Sequence, residues 1–310
     1  MTIDRNHIIE IQNLKVTYKR GFRLKPLVAV DDLNLCVREG EVVGFIGPNG
    51  AGKSTTIKAL MGFIFPAAGF ARVFGLPAGS KAAKRKIGYL PEVALYYPFM
   101  KAHELLMVYG GLLGYTGKDL LQRVDDVLVL VGLKGREREL LKKYSKGMQQ
   151  RIGIAQALLG EPDVLILDEV TSGLDPVGRR DLRQILIDYR KKGKTVFFSS
   201  HELSEVSLIC DRVIIIDEGK VIKEKKIADL MLDLQRFEIK VRAAQGINLT
   251  CQCLIEPLGE NMYRITIAEH HKPIDILKEL INKDYEVIEF GSGALSLEDY
   301  FVKIIGKKIA

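Results

Sequence analysis

A glycine-rich segment in the first fifth of the chain has the residue types and the spacing to hold a row of phosphates. It reads Gly47, Pro48, Asn49, Gly50, Ala51, Gly52, Lys53, Ser54 and Thr55. The order fits G-x-x-x-x-G-K-[ST], in which glycines let backbone N–H groups face an anion and a following helix adds its positive end. Lys53 can reach the β- and γ-phosphates, and the Ser54 hydroxyl can ligate Mg²⁺. The segment predicts a site for a nucleoside triphosphate and a magnesium ion.

Two adjacent carboxylates form a second candidate centre. Asp168 and Glu169 directly follow Val164–Leu167, an apolar run of the buried-strand type. The carboxyl end of such a strand projects its acids towards the phosphate loop. Asp168 suits the Mg²⁺ position, and Glu169 suits the polarisation of an attacking water as a general base. Acidic strand ends are common without a function, but the phosphate loop upstream favours the catalytic interpretation.

These side chains need a sheet to bring them together, and the chain has the corresponding pattern. Apolar runs typical of buried strands lie at Val42–Ile46, Val164–Leu167, Val196–Phe198 and Val213–Ile216. Helical periodicity continues from the phosphate loop through Thr55–Met61. Alternation of the two kinds of segment predicts an α/β fold with a largely parallel sheet.

The pattern changes twice along the chain. Between about residues 92 and 160, three stretches have helical periodicity: Glu104–Leu113, Leu120–Val131 and Met148–Leu159. After Lys226, strands and helices are indicated at Phe237–Arg242, Tyr263–Ile267, Ile274–Ile281, Val287–Phe290 and Leu297–Ile305. We therefore predict two domains, residues 1–226 with a helical subdomain at about 92–160, and residues 227–310 as a small α+β domain.

Length and composition agree with two ordinary globular domains. The chain has 310 residues, 47% of them hydrophobic and 27% charged, which argues against disorder or a small disulfide scaffold. The longest stretches without Asp, Glu, Lys or Arg have 13 residues, too few for a membrane-spanning helix. Asp4, Arg5 and Glu10 argue against a secretory signal.

The net charge and the cysteines say less about the class of protein than the length and composition do. Lys plus Arg exceed Asp plus Glu by 46 − 39 = 7. Basic residues gather at 81–86 and 134–146, which suits solvated helix faces, nucleic acid or an anionic membrane surface, and charge alone does not separate these. Four cysteines have neither disulfide nor zinc spacing, and the Cys251–Cys253 pair is interpreted as buried thiols in a reduced compartment.

Several further segments, taken in order, resemble the ABC (ATP-binding cassette) ATPases over roughly residues 8–225. The stretch Tyr144-Ser145-Lys146-Gly147-Met148-Gln149-Gln150-Arg151 resembles their LSGGQ signature. Asp175, before Pro176, resembles their D-loop residue, and His201 resembles their switch histidine. Tyr18 lies upstream of the phosphate loop, where the family places an aromatic ring that stacks on adenine. The ordered set is far more specific than any single motif.

The resemblance implies roles for these residues and a mixed-sheet P-loop NTPase cassette. Ser145, Gly147 and Gln149 form a second anion site, which in the family faces the γ-phosphate held by another cassette, and the residues alone also fit a plain helix N-cap. Because the chain has one cassette, a second one is required, in a homodimer or a heterodimer. His201 is expected at the γ-phosphate and the attacking water. Tyr18 is expected on the adenine, with half-buried core as its alternative.

Two positions depart from the family pattern. Glu92 occupies the loop position where the family usually has Gln, and it is expected at the nucleotide and its Mg²⁺ although it adds negative charge there. Lys146 stands in the signature where glycine is usual, and its charge either helps at the γ-phosphate or faces solvent. The variants at 89–92 and 144–150, with 296–301, resemble the ABC-2-type exporter subgroup.

The resemblance thus implies an ATPase that binds ATP and Mg²⁺ and powers a separate transmembrane permease, as an exporter, from the cytoplasmic face of the cell membrane. The docking surface for the permease is expected on the helical insertion and the Glu92 loop, and no nucleic acid is expected as partner. The alternative is a soluble ABC ATPase acting on nucleic acid or ribosomes. Ser145 follows Lys53 by 145 − 53 = 92 positions, which leaves no room for the long coiled coil of many such proteins.

The C-terminal domain keeps three hypotheses open: it regulates, it dimerises, or it packs passively. Its His270–His271 pair could suggest a metal, but no carboxylate or cysteine stands at ligand spacing, so we interpret the pair as solvated.

Overall fold

The structure is a computed structural model that describes residues 7–19, 26–171, 173–201, 203–244, 246–250, 253–259, 261–267, 273–294, 300–301, 304 and 306. The chain divides into two units, Met1–Lys226 and Ile227–Ala310. Each unit has its own cluster of buried apolar side chains. No helix in the described ranges is long and apolar enough to cross a bilayer.

The strands and helices of the first unit are, in chain order, β1 (His7–Tyr18), β2 (Leu27–Arg38), β3 (Val42–Ile46), α1 (Lys53–Leu60), β4 (Ala68–Val73), β5 (Leu76–Pro77), α2 (Lys81–Lys84), β6 (Ile87–Leu90), α3 (Ala102–Leu113), α4 (Gly117–Leu130), α5 (Lys146–Leu158), β7 (Val164–Leu167), α6 (Pro176–Lys191), β8 (Thr195–Ser200), α7 (Leu203–Ile209), β9 (Arg212–Asp217) and β10 (Lys220–Lys226).

A six-stranded mixed sheet in the order β10-β9-β3-β8-β7-β6 carries the candidate site. Every residue of β3, β7 and β8 is buried, as expected for parallel strands covered on both faces. Strand β10 alone in this sheet pairs antiparallel. The strands predicted at Val42–Ile46 and Val164–Leu167 are confirmed to the residue, and the other two predicted strands lie inside the longer β8 and β9.

The strand order places the segments that carry the candidate site residues at one edge of the sheet. Strands β3 and β7 both pair in parallel with β8, with Ile46 opposite Ser200 and Leu167 opposite Phe198. The segments that leave the carboxyl ends of these three strands are therefore neighbours, as in other open α/β sheets where ligands bind at this edge.

An antiparallel sheet in the order β2-β1-β4-β5 packs against the central one. Side chains from both sheets meet in one core, among them Leu14 and Leu33 from the first and Phe45 and Phe197 from the second. Strand β2 delivers Ala29 beside the phosphate loop, which the sequence did not predict.

The helical subdomain consists of α3, α4 and α5, which pack on one another. In the sequence these helices lie between β6 and β7. The three helices predicted there are confirmed, with ends that differ by a few residues because of capping. Helix α3 begins two residues early because the Glu104 carboxylate accepts the Lys101 N–H at 3.0 Å. Helix α5 begins at Lys146, directly after its N-cap Ser145.

The second unit contains α8 (Ile227–Leu234), β11 (Gln235–Arg242), β12 (Leu254–Gly259), β13 (Met262–Ile267), α9 (Pro273–Asn282) and β14 (Glu286–Ala294). Its four strands form an antiparallel sheet in the order β12-β13-β11-β14, and α9 covers one face through Ile276 and Leu280. The other face carries ion pairs such as Lys240–Glu289 and Arg242–Glu286. The predicted α+β character is confirmed.

Some predictions fall where little or nothing is described. His270, His271 and Cys251 lie outside the described residues, so the interpretations of the histidine pair and of a buried Cys251 are not tested. The predicted helix at 297–305 is described only at Tyr300, Phe301 and Ile304, which are helical. Cys253 is half-buried and carries no disulfide.

Candidate nucleotide site

The phosphate loop connects β3 to α1 and is held in a tight turn. Gly52, the N-cap of α1, has φ +106°, a left-handed conformation that favours glycine. A Cβ at this position would lie 2.6 Å from the Ala29 carbonyl oxygen of β2. A glycine is therefore required here both by the backbone angle and by the close approach of the neighbouring strand. The loop delivers its N–H groups and Lys53 to the start of α1.

Lys53 is a buried cation, 5% exposed, that the protein satisfies through its own groups. Its Nζ donates to the carbonyl oxygens of Gly47 at 2.8 Å and Pro48 at 3.2 Å. It also lies 3.3 Å from Glu169 Oε1. A buried lysine without partners is strongly unfavourable, so these contacts hold the ammonium in the loop. The ammonium lies on the lining of the cleft described below.

Asp168 is 2% exposed and accepts two hydroxyl hydrogen bonds on one oxygen. Ser54 Oγ donates to Asp168 Oδ1 at 3.2 Å and Ser199 Oγ donates to the same atom at 2.6 Å. Ser199 is also the acceptor for the Glu169 N–H at 2.9 Å. Ser199 was not among the residues predicted from the sequence. Its polar side chain directly after the apolar run of β8 was the signal that could have found it.

The donor set at Asp168 fits Mg²⁺. A buried carboxylate oxygen and a serine hydroxyl lie within hydrogen-bond distance of one another, and both are hard oxygen ligands of the kind this ion prefers. Magnesium in nucleotide sites takes few protein ligands and completes its shell with phosphate oxygens and water. No group of three or more His, Cys, Asp and Glu side chains with metal-binding geometry occurs in the described ranges.

Glu169 and His201 form a close pair at the mouth of the site. His201 Nδ1 lies 2.6 Å from Glu169 Oε2, and the Glu169 side chain is 8% exposed whereas that of His201 is 49% exposed. Glu169 adopts φ +50°, which costs of order 1 kcal/mol for a residue with a Cβ. The Glu169 carboxylate contacts Lys53 through one oxygen and His201 through the other.

A cleft of about 470 Å³ joins these groups. Its lining residues are Tyr18, Leu27, Ala29, Asn49, Gly50, Gly52, Lys53, Ser54, Thr55, Glu92, Glu169 and His201. All but Leu27 and Ala29 were predicted from the sequence. The hydroxyl of Tyr18 lies 3.3 Å from Thr55 Oγ1, so its ring stands at the open side of the cleft. Glu92 is an exposed part of the lining and forms no ion pair with a described residue.

The predicted signature residues lie elsewhere. Ser145 is the N-cap of α5, its Oγ accepting the Met148 N–H at 3.3 Å, and Gln149 Nε2 donates to the Tyr144 carbonyl at 3.3 Å. Asp175 is the N-cap of α6 and accepts the Gly178 N–H at 2.8 Å. The cleft lining, which is made of described residues, includes neither of these caps nor Gly147. One chain therefore does not bring the two predicted halves of the site together.

The signature and the segment before α6 do contact each other. The aliphatic stem of Lys146 packs against Gly173, while the residue as a whole stays exposed. Gln150, which is buried, donates from Nε2 to the Val170 carbonyl at 2.9 Å. This bond ties α5 to the segment that follows Glu169. The N-terminus of α5 thus forms one exposed surface with the residues around Asp175.

The fold and the cleft define a nucleotide-binding ATPase cassette of the P-loop class. The family model described as "ABC transporter" matches residues 30–172. An ABC transporter ATP-binding protein of Synechocystis is 34% identical over 307 residues, covering 96% of this chain and 84% of that protein. The bacitracin transport ATP-binding protein BcrA of Bacillus licheniformis is 37% identical over 293 residues, covering 90% and 92%. The linearmycin resistance ATP-binding protein LnrL of Bacillus subtilis is 34% identical, covering 87% and 85%.

Solved structures of ABC cassettes are similar to this chain in fold. The dimeric cassette MJ0796 in a post-hydrolysis state with ADP and phosphate is 25% identical with a TM-score of 0.66, covering 71% of this chain and 98% of that one. An ATP-binding subunit of an ABC transporter is 29% identical with a TM-score of 0.64, covering 72% and 91%. The chain belongs to the ABC transporter ATP-binding proteins. It binds and hydrolyses ATP as the nucleotide-binding subunit of such a transporter, and these relatives do not support the alternative of a soluble ATPase for nucleic acid or ribosomes.

Proposed function

We propose that this subunit powers export from the cytoplasmic face of the membrane by closing and reopening a pair of cassettes around ATP and Mg²⁺. The observation that carries the proposal is the convergence of Lys53, Asp168, Glu169 and His201 in one cleft, with the signature residues exposed outside it. Relatives named for bacitracin transport and linearmycin resistance support an export direction.

Lys53 exchanges partners when ATP binds. The loop carbonyls and Glu169 hold its ammonium in the structure, and a triphosphate offers more negative charge at the same place. Transfer of Lys53 to the β- and γ-phosphates releases one oxygen of Glu169. The phosphates would then be bound by the N–H groups of residues 49–55 and the positive end of α1.

Ser54 and Asp168 would hold Mg²⁺, which neutralises charge on the β- and γ-phosphates when bound. Ser199 fixes the Asp168 carboxylate by the 2.6 Å hydrogen bond, so Asp168 presents its remaining lone pairs in one orientation. Glu92, on the cleft lining, is assigned to the same region through a water.

Glu169 is assigned as the general base for the attacking water, and His201 as the residue that orients its carboxylate and contacts the γ-phosphate. The 2.6 Å contact between them supports this division of roles. Because His201 is half exposed while Glu169 is buried, the histidine is the part of the pair that a closing partner would cover. Positioning of a base in this way is worth about 10²–10⁴ in rate.

A second cassette completes the site. Ser145, Gly147 and Gln149 would bind the γ-phosphate held by the partner's loop, and Asp175 would lie at the contact between the two chains. The exposed N-terminus of α5 provides N–H groups and partial positive charge for this purpose. Homodimer and heterodimer use the same surfaces. Tyr18 is assigned to the adenine.

The permease would dock on the helical subdomain. The loop after Glu92 exposes the large apolar side chains of Val93, Leu95, Tyr97 and Phe99, of which Leu95 is 90% exposed. Contiguous exposed apolar residues of this kind mark interaction surfaces. Residues 227–310 form an accessory domain that regulates, dimerises or packs.

Glu169→Gln tests the proposal. The amide cannot accept a proton, so we expect ATP turnover to fall by about 10² or more while ATP binding persists. The matched control is Glu161→Gln, an exposed glutamate outside the cleft, which should keep normal turnover. Undiminished turnover in Glu169→Gln would remove this residue from the base role.

A further inference from the structure

Lys146 is the first residue of α5, and its side chain lies across Gly173 in the segment that connects β7 to α6. We propose that Lys146 is a positioning residue for the contact between two cassettes. Its aliphatic stem holds this connecting segment, residues 170–171 and 173–175, against the N-terminus of α5. The inference rests on the shared site proposed above and adds a residue that sets the geometry of its exposed half.

The contact uses the stem of the lysine. A Cβ on Gly173 would collide with Lys146 Cε and would lie 2.7 Å from Cδ and 3.0 Å from Nζ. Gly173 also has φ +83°, a left-handed conformation that favours glycine. The side chain of Lys146 therefore runs across a stretch of backbone that only a glycine leaves open, although the residue as a whole is exposed.

Charge does not explain where this side chain lies. The N-terminus of a helix carries partial positive charge, so a lysine at the first helical position is electrostatically unfavourable. The first turn of α5 contains no acidic residue, and Lys146 forms no ion pair within the described part of the chain. A lysine can instead bury its methylene groups along a neighbouring surface while its ammonium stays in water. Packing of the stem is thus what holds the side chain in place.

The Lys146 contact is one of three that join the first part of α5 to the residues after β7. Gln150, four residues after Lys146 and therefore on the same face of the helix, donates to the Val170 carbonyl at 2.9 Å. Arg151 donates to Asp181 of α6 at 3.1 Å. These two bonds hold the beginning of the connecting segment and the helix beyond its end. Lys146 holds the part between them.

The contact lies between the two groups that the proposed function assigns to the partner cassette. Ser145 directly precedes Lys146 in the chain. Asp175, the N-cap of α6, follows Gly173 by two residues. A loose connecting segment would have to be ordered in each chain when the pair closes. Only the fraction of chains with the segment already in place can pair, so a segment held in advance favours closing.

Two substitutions separate the stem from the charge. Lys146→Ala removes both, whereas Lys146→Met removes the ammonium and keeps a long apolar side chain, and both residues suit a helix. The first measurement is hydrogen exchange by mass spectrometry on the nucleotide-free chain. Peptides that contain the Leu174 N–H, which donates to the Thr171 carbonyl at 3.3 Å, should exchange about fivefold faster in Lys146→Ala. In Lys146→Met they should stay within about twofold of the parent.

The second measurement is the dissociation constant of the ATP-bound pair, from light scattering over a concentration series with Glu169→Gln in every chain to block turnover. Each pair contains the contact twice, so Lys146→Ala should raise this constant about 25-fold, about fivefold for each copy. Lys146→Met should stay within about twofold of the Glu169→Gln parent. The affinity of the single chain for ATP should be the same in all of them, because Lys146 lies outside the cleft lining.

The matched control is Lys118→Ala, which removes an exposed lysine from the first turn of α4 in the same way. It should leave both measurements within about twofold of the parent. Equal effects of Lys146→Ala and Lys146→Met would assign the role to the ammonium and overturn the proposal. Faster exchange in Lys146→Ala without weaker pairing would overturn it as well.

Failure of this inference is distinguishable from failure of the proposed function. A Glu169→Gln parent that binds ATP and does not pair would contradict the shared site itself, and the positioning role with it. A parent that pairs, and pairs equally well after Lys146→Ala, would contradict the positioning role alone.

Discussion

The phosphate-binding cleft and the exposed N-terminus of α5 differ in how far the single chain completes them. In the cleft, Lys53, Asp168 and Glu169 are buried and all have polar partners within the chain. At α5, Ser145 does no more than cap its own helix, and the helix end faces solvent. Both lie at a helix N-terminus, where free backbone N–H groups favour an anion.

The cleft is preorganised within one chain, whereas the N-terminus of α5 is not. Buried ions without partners are costly, so the cleft has to be internally satisfied before nucleotide arrives. An exposed helix end is solvated by water and carries no such cost. We therefore expect the chain to fold and to bind ATP as a single copy, and we expect the exposed helix end to act only when another cassette brings a phosphate to it.

The largest effect is expected when the cleft and the N-terminus of α5 are each disrupted in a separate variant and the two variant proteins are mixed. Lys53→Ala removes the cation of the cleft, and Ser145→Arg fills the exposed helix end, so each variant alone should lose ATP turnover by about 10² or more. A mixture of the two should regain turnover, because mixed dimers contain one site with both halves intact. ATPase assays at equal total protein measure this.

The control for the mixture is Lys53→Ala mixed with Glu169→Gln, in which both changes fall in the cleft half. A mixed dimer of these variants has a damaged cleft in each of its sites, so activity should stay low. Recovery in this control, or no recovery when Lys53→Ala is mixed with Ser145→Arg, would contradict a site shared between two copies of this chain.

A smaller effect is expected when the internal support of the cleft is weakened. Ser199→Ala removes the 2.6 Å hydrogen bond to Asp168 without touching nucleotide, and it also leaves the Glu169 N–H without its acceptor. Loss of such a supporting residue typically costs about 10–100-fold in metal affinity or activity. We expect a raised Mg²⁺ requirement for turnover, measured by magnesium titration, whereas Ser199→Thr should restore much of it. An unchanged requirement would show that Asp168 needs no such support.

The smallest effect concerns the open side of the cleft. Tyr18→Ala should weaken ATP binding about fivefold, since stacking of a base on a partly exposed ring is worth about 1 kcal/mol. Tyr18→Phe keeps the ring and loses only the contact to Thr55, so it should bind nearly as the parent does. Isothermal titration with ATP and with inorganic triphosphate compares the two, and equal weakening for both ligands would place Tyr18 away from the base.

The cleft was largely predictable because its residues are contiguous motifs or follow apolar runs. Gly47–Thr55 is one uninterrupted segment, and Asp168 and Glu169 come directly after a strand that the apolar pattern located. Parallel strands place their carboxyl ends together, so the fold class alone predicted that these two segments lie close to each other.

The supporting parts were not predictable, since they depend on register and on irregular strands. Ser199 reaches Asp168 only because Leu167 lies opposite Phe198. Ala29 belongs to the hairpin of β1 and β2, whose several register shifts interrupt the alternation that normally indicates a strand. The left-handed conformations of Asn13 and Asp32 in this hairpin mark the same irregularity. The contact between Lys53 and Glu169 likewise could not be predicted from the sequence pattern.

The most direct test of a shared site is the mass in solution of Glu169→Gln with ATP and Mg²⁺, measured by light scattering against the same preparation without nucleotide. We expect a single chain without ATP and two chains with it, and a return to one chain when Ser145→Arg is added to Glu169→Gln. A preparation that binds ATP and stays a single chain, or a dimer that is unaffected by Ser145→Arg, would show that two copies of this chain do not share the site.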